Sequence, residues 1–137
     1  MKKAHHRLEA WQQALNLVKS IYSATASFPK SELYGLTSQM RRAAVSIPSN
    51  IAEGAAREST AEFIRFLYIA RGSLAELETQ ILIAKDLAYL EDSQSLLGEL
   101  YQVSALMDGL IRSLKARPTR VRDEEPDYDE VLLPAEE

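Results

Sequence analysis

Residues 59–88 read STAEFIRFLYIARGSLAELETQILIAKDLA. Ser59 and Glu62 have the spacing of a capping box, in which the serine accepts from one orphan amide and the glutamate reaches back to another. Behind the box, Phe63, Leu67, Ala70, Leu74, Leu77, Ile81, Ala84 and Ala88 alternate steps of four and three. That is an uninterrupted a/d heptad seam. It predicts one long helix with an apolar stripe to bury against other helices. Gly72-Ser73 inside it lowers helix propensity and lets another backbone come close.

The neighbouring segments supply those helices. Downstream, Asp92 or Ser93 begins a helix whose seam is Leu97, Leu100, Ser104, Met107, Ile111 and Leu114. Pro118 limits its continuation. Upstream, Thr37 reads as the N-cap of a helix with apolar face Leu36, Met40, Ala43, Ile47 and Ile51. Pro48 lies inside that helix and predicts a kink over Ala44 to Pro48. Gly54 reads as its end. The first helix spans about residues 6–26 and has two adjacent stripes. One is Leu8, Trp11, Leu15, Val18 and Tyr22; the other is Ala10, Ala14, Leu17, Ile21 and Ala24. A face that wide packs against two neighbours. Phe28-Pro29 breaks the helix near Ser27. No segment alternates like a strand. Short connections make successive helices antiparallel. The expected fold is all-α, an antiparallel up-down-up-down four-helix bundle over residues 1–117, with a kinked second helix. Residues 118–137 read as an acidic, mobile C-terminal tail.

Charge divides at the same place. The chain has 137 residues and a net charge of −4. Residues 123–137 hold eight acids and no base, leaving 16 bases against 12 acids in residues 1–122. The body is basic and the tail acidic, a split that suggests an anionic partner for the body. Absence of cysteine removes disulfides, thiolate metal sites and cysteine nucleophiles, and fits a cytoplasmic location. The longest apolar run falls far short of the roughly 20 residues that span a bilayer, so no membrane partner is expected. The N-terminus, Lys2-Lys3 followed by His5-His6-Arg7, lacks the apolar core of a signal peptide.

No catalytic or metal constellation is present. His5 and His6 are adjacent and lack the i, i+4 spacing of helical ligands. There is no phosphate-binding glycine loop, and no Glu-x-x-His pair of the di-metal bundles. The reading is non-enzymatic, with no cofactor. Three features remain. Arg42, Ser46, Asn50, Glu53 and Arg57 form a polar stripe on the second helix, with Arg41 beside it. Small residues around the stripe favour a packed interface over a ligand site. The up-down order also gathers Lys2, Lys3, Arg7, Arg57, Arg112, Lys115, Arg117, Arg120 and Arg122 at one pole, as candidates for binding phosphates of RNA or DNA. Basic residues at a helix C-terminus also complement the macrodipole. The acidic tail leaves from this pole and is expected to screen it. Finally, Phe66, Tyr68, Leu87, Tyr89 and Tyr101 lie off the main seams and either complete the core or serve assembly.

Arg41 to Gly54 reads RRAAVSIPSNIAEG, preceded by Phe28-Pro29, Glu32, Tyr34-Gly35-Leu36 and Gln39. It is followed by Arg57, Phe63, Phe66-Leu67, the run Ile69 to Leu74, and Glu76-Leu77. Over about residues 8–114 the chain resembles the four-helix-bundle proteins encoded in intervening sequences of bacterial 23S ribosomal RNA genes. It is also similar to the accessory variability proteins of diversity-generating retroelements, which form pentameric barrels and bind a reverse transcriptase and nucleic acid. The resemblance implies a homopentamer without enzyme activity. It would put the Arg41-to-Arg57 helix at or near subunit contacts. Its implied partners are RNA or DNA and a reverse transcriptase or other neighbouring gene product. A protein-binding scaffold without nucleic acid is the alternative. The acidic tail and a pI of about 5.3 depart from the markedly basic retroelement proteins.

Overall fold

The computed structural model describes residues 4–117. Lys2, Lys3, Arg120, Arg122 and the acidic tail therefore lie outside the described residues. Four helices make up the fold: α1 (Glu9–Thr25), α2 (Leu36–Ala55), α3 (Thr60–Asp86) and α4 (Ser93–Ala116). Short 3-10 turns cover Ala4–Arg7 and Lys30–Glu32. No strand occurs among the described residues.

The helix starts follow from local chemistry. Ser59 is extended and its Oγ accepts from the Glu62 amide at 3.1 Å. The second half of the expected box is replaced: the Glu62 carboxylate accepts from Arg65 Nε at 3.1 Å. Asp92 caps α4 by accepting from the Ser95 amide at 3.0 Å. α2 corrects the expectation for Thr37. Gly35 is the N-cap, and the Leu36 amide donates to Glu32 Oε1 at 3.1 Å. The cap comes from the preceding turn, which leaves Thr37 buried within the helix.

Two helix ends also differ from expectation. α2 runs through Pro48 and past Gly54 to Ala55. Pro48 removes one donor from the ladder, a site where a kink is consistent with the chemistry. Ala88 does not extend the α3 seam. It sits beyond the helix with φ 62°, the left-handed position of a Schellman cap. Its amide donates to the Lys85 carbonyl at 3.0 Å, and the Tyr89 amide to the Ala84 carbonyl at 2.9 Å.

The core forms one cluster drawn from all four helices. The rest of the α3 seam is buried as the heptads require, from Phe63 to Ala84. On α1 the Ala10, Ala14, Leu17 and Ile21 stripe is buried, while Tyr22 of the other stripe is exposed. On α4 the seam is rotated by one position at two places. Leu96 and Val103 are buried where Leu97 and Ser104 were expected. Contacts between neighbours run in opposite order along each pair: Ser46 meets Ser73, and Gly54 approaches Phe66. Tyr101 meets Glu78, and Lys115 meets Tyr68. This agrees with the up-down-up-down order.

Candidate nucleic-acid interface

The antiparallel order puts the end of α2, the start of α3 and the end of α4 at one pole, with the Ala4–Arg7 turn leading into α1 beside them. Aromatic rings and cations meet along its edges. On the α2–α3 edge, Phe66 lies beneath two guanidiniums, Arg57 at 4.8 Å and Arg65 at 4.7 Å from the ring centre. On the α3–α4 edge, the Tyr68 ring carries Arg71 at 4.6 Å and Lys115 at 5.0 Å. Leading into α1, His5 and His6 pack on Trp11 with centroid distances of 4.9 and 5.0 Å. Gln12 Nε2 donates to the His6 carbonyl at 2.7 Å and holds the turn against the helix.

Each ring–cation contact is worth about 0.5–1 kcal/mol at an exposed site. The larger effect is on geometry. A long side chain held over a ring has fewer rotamers to lose when an anion binds, so part of the ordering cost is met in advance. Carboxylates temper the positive field. Arg57 pairs with Glu53 at 3.0 Å, Arg65 with Glu62 at 3.1 Å, and Arg71 with Asp108 at 3.6 Å. These pairs are exposed and contribute little to stability. Arg112 and Lys115 have no carboxylate partner among the described residues. The opposite end carries Glu32, Asp86, Glu91 and Asp92 with Lys30 and Lys85. There the Tyr89 hydroxyl donates to Glu32 Oε2 at 3.0 Å, which holds the phenol above its usual pKa.

Of the residues expected at the basic pole, Arg7, Arg57, Arg112, Lys115 and Arg117 are described, and all but Arg117 are exposed. Two further bases belong with them, Arg65 and Arg71, in the first half of α3. The spacing Tyr68-x-x-Arg71 could have found the second, because i and i+3 share a helix face. Counting only helix termini missed it.

The polar stripe of α2 divides into separate pieces. Arg41 turns to α1: its Nε donates to Thr25 Oγ1 at 2.9 Å, and its guanidinium lies 4.6 Å from the Tyr22 ring centre. Ser46 and Ser73 share a hydrogen bond of 2.8 Å across the α2–α3 seam. Asn50 Nδ2 donates to the Ser46 carbonyl at 2.8 Å and to its Oγ at 3.0 Å. The Arg41–Thr25 and Ser46–Ser73 bonds join helices within one chain, and the Asn50 bonds stay within α2. Arg42 is exposed and lines a surface groove with Tyr34, Ser38, Ser73 and Glu76. Glu53 and Arg57 complete the stripe at the basic pole.

Among the described residues no group of three or more His, Cys, Asp or Glu side chains could hold a metal ion. No described helix is long and apolar enough to cross a membrane. Comparison with curated proteins finds no match. The family model of the 23S rRNA-intervening sequence protein matches residues 6–109, from the turn before α1 into the last turns of α4. The chain belongs to that family.

Proposed function

We propose that this chain is a non-enzymatic, oligomeric helical bundle that binds RNA or DNA phosphates through its basic pole. The observation that carries the reading is Tyr68 holding Arg71 and Lys115 over one ring, with Arg112 close by on α4. Cations fixed in this way suit a phosphate backbone, which positions a protein without reporting sequence. Binding of this kind is non-specific and strongly salt-dependent. The resemblance to retroelement accessory proteins supports a homopentamer, with a neighbouring gene product such as a reverse transcriptase as a further partner, and the lack of cysteine fits a cytoplasmic location.

A purely protein-binding scaffold is the second reading. It draws on the outer face of α3, where Ile69 and Ile83 are 42% and 44% exposed. Glu76 lies between them at the same seven-residue spacing. A gel shift across salt concentrations separates the two readings, with a duplex and an RNA hairpin as probes. Nucleic-acid binding is expected to weaken steeply as salt rises, for both probes. No shift with either probe at low salt sinks it and leaves the scaffold.

A further inference from the structure

The same chain supplies an anion suited to the basic pole. Arg117 leaves α4 in extended geometry, φ −79° and ψ 147°, at that end of the bundle. Beyond Arg120 and Arg122 come Asp123, Glu124, Glu125, Asp127, Asp129, Glu130, Glu136 and Glu137, with no base among them. Asp123 is six residues beyond Arg117, which keeps it within roughly 20 Å of the pole for any path of the chain. Lys115, in the last turn of α4, and Arg112, about one turn before it, have no carboxylate partner among the described residues. The far end of the bundle presents Glu91 and Asp92, which repel an acidic segment. Charge complementarity and the point of departure therefore select the same surface.

We propose that residues 123–137 dock on the α3–α4 edge of the basic pole, against Arg71, Arg112 and Lys115, and compete there with nucleic-acid phosphates. The competition rests on the function proposed above; the contact does not. Any one exposed ion pair is weak. The tether changes the balance, because a linked segment acts at an effective concentration of order mM. The contact shares the salt sensitivity of its competitor, with screening over about 10 Å at 0.1 M salt.

The chain has no cysteine, so Tyr128→Cys gives the full-length protein a single site for a nitroxide spin label. At about 50 mM salt the label is expected to broaden the amide signals of Tyr68, Arg71, Arg112 and Lys115, and at about 1 M salt to leave them sharp. In a chain whose eight tail acids are changed to Asn and Gln, the signals are expected to stay sharp at both. Sharp signals in the native-tail chain at low salt, or equal broadening in both chains, overturns the docking. Affinity for a duplex at low salt is the second readout, expected to be about tenfold higher for the acid-free tail. Equal affinities alongside tail-dependent broadening overturn the competition. If neither chain binds the duplex, the proposed function fails, and the spin-label result alone decides the contact.

Discussion

Gly54 brings the α2 backbone close to α3, and Gly54→Ala measures that approach. A Cβ there would lie 2.7 Å from Phe66 Cβ, 3.0 Å from Phe63 Cδ1 and 3.2 Å from the Phe63 carbonyl oxygen. Two of those atoms are fixed by the α3 backbone, so turning a ring does not relieve the clash. The helices must separate. Overpacking of this kind costs about 1–3 kcal/mol. Replacing a helical glycine by alanine returns about 1 kcal/mol of propensity. The expected net is a loss of about 0–2 kcal/mol, or a fall in Tm of up to about 8 °C. Gly72→Ala and Gly98→Ala are internal controls, because nothing lies within 4 Å of a Cβ at either position. They are expected to stabilise by about 0.5–1 kcal/mol. Urea unfolding of the three variants reads all of these values. If Gly54→Ala is as stabilising as the two controls, the close approach is not what holds this seam.

Other consequences are as direct. Ala88→Gly relieves a left-handed alanine and is expected to raise stability by about 1 kcal/mol in the same unfolding assay. Arg41→Glu combined with Arg42→Glu is expected to change the oligomer mass by light scattering. An unchanged mass with lost RNA binding would move those arginines from assembly to ligand binding. The Tyr101 hydroxyl donates to Glu78 at 2.6 Å, and that bond, with burial and the carboxylate charge, raises the phenol's pKa. A raised folded-state pKa stabilises below the unfolded value of about 10, and the effect is lost as pH rises through the folded value. Tyrosinate absorbance is expected to show two late-titrating tyrosines, Tyr89 and Tyr101, of which only the second moves to lower pH in Glu78→Gln.

The long-range architecture was legible because α3 carries one unambiguous heptad phase. α4 was harder, since Leu96-Leu97 and Val103 offer two overlapping stripes around Leu100. Which stripe turns inward depends on the neighbours, not on α4 itself. Caps made by the residue next to the helix, Ser59 and Asp92, could be read from spacing. The cap on α2 could not, because Glu32 reaches it from a preceding 3-10 turn. Gly54 looked like a terminator, but a glycine that lets two helices touch has the same sequence signature as one that ends a helix. At the basic pole, topology gathers the cations near the helix ends, of which Arg7, Arg57, Arg112, Lys115 and Arg117 are described. Arg65 and Arg71 escaped notice because they lie in the first half of a long helix, where a charged residue ordinarily reads as a solvated face. Their rings, Phe66 and Tyr68, were already visible as aromatic residues off the main seams.

The function rests most directly on the salt slope of duplex binding by the intact chain and by Arg112→Gln combined with Lys115→Gln. Neither side chain has a carboxylate partner among the described residues, so removing them leaves no described acid unpaired. Lys30→Gln combined with Lys85→Gln, at the other end of the bundle, makes the same change in net charge. If the basic pole holds phosphates, the first pair lowers the slope of log affinity against log salt by about 2, and the second leaves it unchanged. Equal loss from both pairs would mean that only net charge matters, and the basic pole would have no special part in binding.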